Sequence, residues 1–178
     1  MRYNREDPWD GLELWSTWLP SSRLRSGSRS NCIAKFGLTP DSLMELWIRT
    51  LAKHGIDSFW IYDCLYNMDA MERLSRIAAD EGCEVAPAIM YGISPVHTDE
   101  WFADRVREFV SWGITDAIYV EDAAGILKPE RAKTLLPRRH CHPTRAGRRR
   151  FMLRGSPAAW SRPTLPRCIP RSCAPSAS

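Results

Sequence analysis

Apolar positions fall into a helical rhythm from Thr39 onward. Leu43, Met44, Trp47, Ile48 and Leu51 recur at spacings of three and four, which predicts an amphipathic helix whose single buried stripe stops near Gly55. Thr39-Pro40-Asp41 marks its start, with a hydroxyl to cap, a proline where no amide donor is missed, and an acid at the positive end of the dipole. Asp57 to Asp63 is short, aromatic and β-branched, and predicts a strand. Asn67 caps a second predicted helix with Met71, Leu74 and Ala78 inward and Gly82 behind its end. Glu84 to Met90 predicts the next strand, although Pro87 removes one ladder donor from it. Thr98 opens a third helix carrying Phe102, Val106, Phe109 and Val110 and closed by Gly113. Asp116 to Val120 predicts a third strand, and Lys128-Pro129-Glu130 begins a fourth helix.

The predicted strands start at 57, 84 and 116, with one helix in each gap. That is the rhythm of right-handed β-α units in a parallel sheet, shared by doubly wound sheets and (β/α)8 barrels. Asp63, Glu121 and Asp122 fall at the C-terminal ends of these strands, where parallel α/β folds place their chemistry. Each also has a plain reading as a capping or loop acid.

Composition divides the chain in two. With 44% hydrophobic residues and eight Trp in 178 residues, there is material for one core, which excludes a wholly disordered polymer. The net charge of +4 averages unlike pieces: residues 1–137 hold 15 Lys+Arg against 21 acids, and residues 138–178 hold ten Arg and no acid. No apolar stretch approaches the roughly 18 residues of a membrane span, and the first 30 residues lack a signal-peptide core. The expectation is a cytoplasmic protein without a membrane partner. The six Cys show no CxxC spacing, so neither a zinc ribbon nor a redox pair is signalled. Cys32, Cys64 and Cys83 are expected to be ordinary buried thiols.

Several stretches occur together, in order: Glu6-Asp7-Pro8-Trp9, Arg29-Ser30-Asn31, Thr39-Pro40-Asp41, Phe59-Trp60-Ile61-Tyr62-Asp63 to Asn67, Ser94-Pro95-Val96-His97-Thr98, and Glu121-Asp122-Ala123-Ala124-Gly125 with Leu127 and Pro129. Over roughly residues 5–137 the chain resembles the carboxyltransferase domain of pyruvate carboxylase and the alpha subunit of oxaloacetate decarboxylase. Both lie in the barrel superfamily that includes hydroxymethylglutaryl-CoA lyase. The resemblance implies a partial (β/α)8 TIM barrel that binds a divalent metal. It would move a carboxyl group between a 2-oxo acid, pyruvate or oxaloacetate, and biotin on a carrier protein or domain, through an enolate. Such an enolate forms only where cations or positive donors hold its oxygen.

The resemblance also implies the site residues. Arg29 matches an arginine that holds the oxo acid, and a guanidinium suits a planar carboxylate through two parallel hydrogen bonds. Asp63 matches the acid at the end of the third barrel strand, beside the metal site. Glu121 stands where biotin-dependent members carry a lysine that bridges to the metal in carbamylated form. Phe36 replaces a tyrosine whose hydroxyl faces the substrate. The family's first-strand metal-binding aspartate has no counterpart in residues 1–30. Its His-x-His pair has only His140-Cys141-His142 to compare, beginning three residues after Pro137.

Residues 138–178 draw 31 of 41 positions from Arg, Pro, Ser, Ala, Cys and Gly and show no apolar periodicity, so a disordered Arg/Pro-rich tail is expected. A basic arm for nucleic acid would explain the charge but not the absence of lysine and the scarcity of aromatic platforms. A metal-binding tail would need a ligand spacing that is not there. A shifted reading frame of a G+C-rich gene accounts for the onset inside a helix, the vanished acids and the lost periodicity together. The sequence reading is therefore an incomplete carboxyltransferase-like barrel over 1–137, inactive alone and prone to self-association. Two alternatives accompany it: a carbon-carbon lyase or aldolase of the same barrel family that never used biotin, and a non-catalytic protein with a nucleic-acid-binding arm.

Overall fold

The computed structural model of the chain describes residues 7–33, 37–135 and 151–155. Helices and strands alternate in the order α1 (Pro8–Trp18), β1 (Arg25–Arg29), α2 (Asp41–Lys53), β2 (Ser58–Tyr62), α3 (Met68–Asp80), β3 (Glu84–Met90), α4 (Asp99–Ser111), β4 (Ile118–Asp122), α5 (Pro129–Leu135) and β5 (Phe151–Gly155). All strand pairings are parallel, and the order across the sheet is β1-β2-β3-β4-β5. A doubly wound sheet reverses direction at a switch point. This one never does. Consecutive strands joined by right-handed crossovers place their helices on one side, which is the wall of a (β/α)8 barrel.

One continuous core fills the space between sheet and helices. Phe59 and Ile61 of β2, Val85 and Ile89 of β3, and Ile118 and Val120 of β4 face Met44 and Ile48 of α2, Met71 and Leu74 of α3, and Phe102 and Phe109 of α4. These are alternate strand positions, so the residues between them form the opposite, inner face of the wall.

The caps expected at Asn67 and Thr98 form: Asn67 accepts from Ala70 N at 3.2 Å and Thr98 from Trp101 N at 3.2 Å. The expected Thr39 cap does not. Pro40 occupies the cap of α2 with no side-chain bond, because the Thr39 amide donates instead to the Asn31 carbonyl at 2.9 Å and draws the residue into the preceding loop. Leu43 stays 46% exposed, so the buried stripe of α2 is Met44, Ile48 and Leu51.

Pro87 is tolerated inside β3 because it sits at a handover. The ladder to β2 ends at Ile61↔Pro87 and the ladder to β4 begins at Ala88↔Tyr119. The strand predicted from Asp116 runs instead from Ile118 through Asp122, since Asp116 is used to bond Val85 N at 3.0 Å through its carboxylate.

Two elements carried no periodic signal. β1 reads Arg-Ser-Gly-Ser-Arg, entirely polar or glycine, and is held by its ladder to β2. The start of α1 was legible in Asp7-Pro8: Asp7 Oδ1 accepts from Trp9 N at 3.0 Å, with proline at the first helical position. Within 138–178, Phe151–Gly155 pairs with β4 as a fifth strand, built on the segment's one run of three large apolar residues. The rest of that segment, with His140 and His142, lies outside the described residues, as does Phe36.

Candidate functional site

The strand ladders set the inner face residue by residue. Arg29 pairs with Tyr62, Gly27 with Trp60, and Arg25 with Ser58; farther across, Ala88 pairs with Tyr119 and Met90 with Glu121. Arg29 and Glu121 therefore share the inner face at the C-terminal end of the sheet, on β1 and β4.

Arg29 donates through Nε to Tyr62 Oη at 3.2 Å and through Nη1 to Cys32 Sγ at 3.6 Å. The Cys32 contact, then the Tyr62 contact, push the guanidinium further above its ordinary range, so it is a permanent cation at this rim. Below it lies a floor of rings. Trp60 stacks on Tyr62 with centroids 4.7 Å apart and planes at 14°, and meets Tyr119 at 4.9 Å and 31°. Trp60 and Tyr119 are two strands apart. They touch because β3 offers only Ala86 and Ala88 between them on this face, both fully covered. On the other side Gly27 makes room, since a Cβ there would lie 2.3 Å from the Trp60 indole nitrogen.

Asp63 belongs to the same end of the sheet but to a different arrangement. It lies one residue past Tyr62, is 5% exposed, and has both carboxylate oxygens engaged. Oδ2 accepts from the Ser30 hydroxyl, and Oδ1 accepts from Leu65 N at 2.7 Å. Ser30 is itself 1% exposed and directly follows Arg29, and its amide donates to the Tyr62 carbonyl at 2.9 Å. Asp63 thus ties the rim of β1 to that of β2. Asp122 plays the corresponding part on β4, accepting from Ile126 N at 3.0 Å and Leu127 N at 2.8 Å to shape the Asp-Ala-Ala-Gly loop.

The loop after β2 is braced by Tyr66, which holds a left-handed φ of 56°. Its hydroxyl donates to the Met90 carbonyl at 2.7 Å and its ring meets Trp101 edge-on at 4.7 Å, joining the β2 and β3 rims. Burial pushes the Tyr66 phenol up. In the Ser-Pro-Val-His-Thr loop after β3, His97 Nδ1 lies 3.1 Å from Ser94 Oγ and its ring stacks on Phe102 at 5.7 Å, so this motif shapes its own loop. At the N-terminal end of the inner face, Arg23 and Arg25 both donate to Glu84, and Arg25 Nε reaches Ser58 Oγ at 2.7 Å.

The sequence reading singled out Arg29, Asp63 and Glu121 and gave no role to Ser30, Trp60, Tyr62, Tyr66 and Tyr119, which the structure places around them. Period-two alternation in the predicted strand 57–63 already placed Trp60 and Tyr62 on one face. The partner role of Ser30 had no such signal, because it depends on β1 lying beside β2. Of the thiols expected to be buried, Cys32 and Cys83 are, and burial raises the Cys83 thiol; Cys64 is exposed, in the turn after Asp63 where the chain has left the sheet. Among the described residues no three His, Cys, Asp or Glu side chains converge to hold a metal ion. Neither is any described helix long and apolar enough to cross a membrane.

Comparison with known proteins bears directly on this wall. A subunit of the pyruvate carboxylase of Methanocaldococcus jannaschii is 32% identical over 138 residues, 78% of this chain and 24% of that protein. The chain is a homologue of the pyruvate carboxylase carboxyltransferase domain. The methylmalonyl-CoA carboxyltransferase 5S subunit of Propionibacterium freudenreichii subsp. shermanii is 27% identical over 136 residues, 76% of this chain and 27% of that one. Among solved structures, the carboxyl transferase domain of Rhizobium etli pyruvate carboxylase with pyruvate superposes with a TM-score of 0.71 at 30% identity, over 76% of this chain and 24% of that domain's chain. The chain spans about a quarter of the length of these relatives. No protein-family model matches it. The homologous solved domains share the barrel architecture read from the strand order.

Proposed function

We propose that this chain carries the 2-oxo acid-binding part of a carboxyltransferase-type site, with Arg29 as the anchor for the acid's carboxylate. The observation that carries the reading is the placement of Arg29 and Glu121 on one inner face at the C-terminal end of a consecutively ordered parallel sheet. This is the end at which such folds bind their ligands.

The chemistry follows from the groups present. Arg29 brings a permanent positive charge to this rim, which attracts a carboxylate and stabilises negative charge that develops on an adjacent oxo group when an enolate forms. Tyr62 accepts from Arg29 and so keeps its own O–H to donate beside the bound acid. Glu121 places a carboxylate across the face from Arg29, where it takes a proton from the carbon next to the oxo group. Asp63 acts through Ser30, fixing the backbone from which Arg29 projects. The described residues do not form a metal cage, so no step is assigned to a metal ion. By the same reading, biotin on a carrier domain is the second partner and the setting is cytoplasmic.

Binding of pyruvate and oxaloacetate to the purified chain, followed by NMR line shape or calorimetry, tests the anchor. Saturable binding is expected, weakened about 10- to 100-fold in Arg29→Ala, since a hydrogen bond to a charged group contributes about 1.5–3 kcal/mol. Absence of saturable binding for every 2-oxo acid tried overturns the proposal.

A further inference from the structure

We propose that residues 156–178 of this chain lie across the C-terminal rim of the sheet as a strap. Each loop that leaves one of β1 to β4 at that rim turns a large aliphatic side chain to solvent. Leu38 follows β1 and is 86% exposed, Leu65 follows β2 at 89%, Ile93 and Val96 follow β3 at 72% and 63%, and Ile126 follows β4 at 40%. The loops stand side by side, because the Ser30 hydroxyl donates to Asp63, the Tyr66 hydroxyl to the Met90 carbonyl and the Tyr91 amide to the Glu121 carbonyl. Single exposed aliphatics are ordinary, but a row with one in every loop is the kind of surface that marks a docking site. Charge is sparse within it: over the described loop residues 30–33, 37–40, 63–67, 91–98 and 123–128 the only acid is the buried Asp63 and the only Lys or Arg is Lys128. Behind the row the helices begin with exposed acids, Asp41 on α2, Asp69 on α3, Asp99 and Glu100 on α4 and Glu130 on α5. Asp41, Asp99 and Glu100 meet helix arginines, and among the described residues no ion pair engages Asp69 or Glu130.

Position, charge and reach name the occupant. β5 pairs in parallel with β4, with Gly155 level with Asp122, so residue 156 starts at this same rim beside the loop that carries Ile126. From there Trp160, Leu165 and Ile169 alternate with Arg162, Arg167 and Arg171, and no acid occurs. An apolar side chain for the row and a cation for the acids behind it therefore recur together along the segment. Its prolines, at 157, 163, 166, 170 and 175, favour a polyproline II path. At ~3.1 Å per residue the stretch from Ser156 to Arg171 reaches about 50 Å, against about 19 Å across five strands. Tethering at the rim favours the chain's own segment over that of another copy. The complementarity holds whatever the origin of the segment.

The chain carries its own reporters for the test. Cys64 lies on the row, exposed and next to Leu65, and Cys168 and Cys173 lie in the segment. In the dilute full chain, diamide should link Cys64 to Cys168 or Cys173 within one molecule, read by peptide mass spectrometry and non-reducing gel mobility. Iodoacetamide should alkylate Cys64 about 3- to 10-fold more slowly than in the triple variant Arg162→Glu, Arg167→Glu, Arg171→Glu, the combined effect of a few exposed ion pairs. Salt at about 1 M, where the Debye length is about 3 Å, should remove most of that difference. The variant changes none of the described residues. Cross-linking and alkylation that are the same in the chain and the variant overturn the strap, since a tether alone gives that result. Links formed only between molecules overturn it too, and assign the row to a second copy.

Discussion

At the scale of single residues, the acids at the strand ends divide into two kinds that sequence position cannot separate. Asp63 and Asp122 use both carboxylate oxygens on local donors and shape loops, whereas Glu121 stands on the inner face at a ladder position level with Met90. Successive residues of a strand face opposite ways, so the adjacent Glu121 and Asp122 can have unrelated duties. Tyr66 carries a different burden, holding a left-handed backbone in order to bond the Met90 carbonyl. Burial raises its folded-state pKa, so the stability it contributes is present below the unfolded value of about 10 and is lost as pH rises beyond it. Tyr66→Phe should cost about 1 kcal/mol at neutral pH, the net worth of one hydrogen bond. It should also show a shallower loss of stability above pH ~10. Denaturant titrations across pH measure both, and an alkaline decline identical to wild type refutes the assignment.

At the scale of elements, β1 and β2 form one unit. Gly27 leaves space for the Trp60 ring, which Tyr62 and Tyr119 prevent from swinging away. Gly27→Ala should therefore destabilise the chain by about 1–3 kcal/mol, the usual cost of overpacking. Adding Trp60→Leu should recover part of that loss, and a double-mutant cycle with no coupling between the two sites would show that the clash is relieved elsewhere. The amphipathic elements α2, α3, α4, β2, β3 and β4 were legible because each has an apolar face that must be buried. β1 was not, because Arg-Ser-Gly-Ser-Arg is held through backbone pairing and through what its side chains meet on β2 and β3. β5 escaped notice for a related reason: Phe-Met-Leu-Arg-Gly is a short apolar run among arginines with no alternation of apolar and polar positions.

At the scale of the whole molecule, β1 has a strand partner on one side only among the described residues, and α1 leaves Trp15 54% and Trp18 67% exposed. An edge of this kind together with an apolar patch favours association. Sedimentation of the purified chain should show concentration-dependent oligomers, and a monodisperse monomer with a sharp cooperative melt contradicts this. The sequence by itself determined the alternation of helices and strands from α2 onward and the positions of Asp63, Glu121 and Asp122 at strand ends, because hydrophobic periodicity and capping chemistry are local properties. Periodicity left a barrel and a doubly wound sheet equally open, and only the resemblance to the carboxyltransferase family pointed to the barrel. The tertiary structure decided between them on physical grounds, since strand order depends on which strands lie side by side, and that is a relation between residues distant in the chain. The same long-range pairing joined Ser30 to Asp63 and laid Trp60 across β3 onto Tyr119, bringing residues of separate strands onto one face.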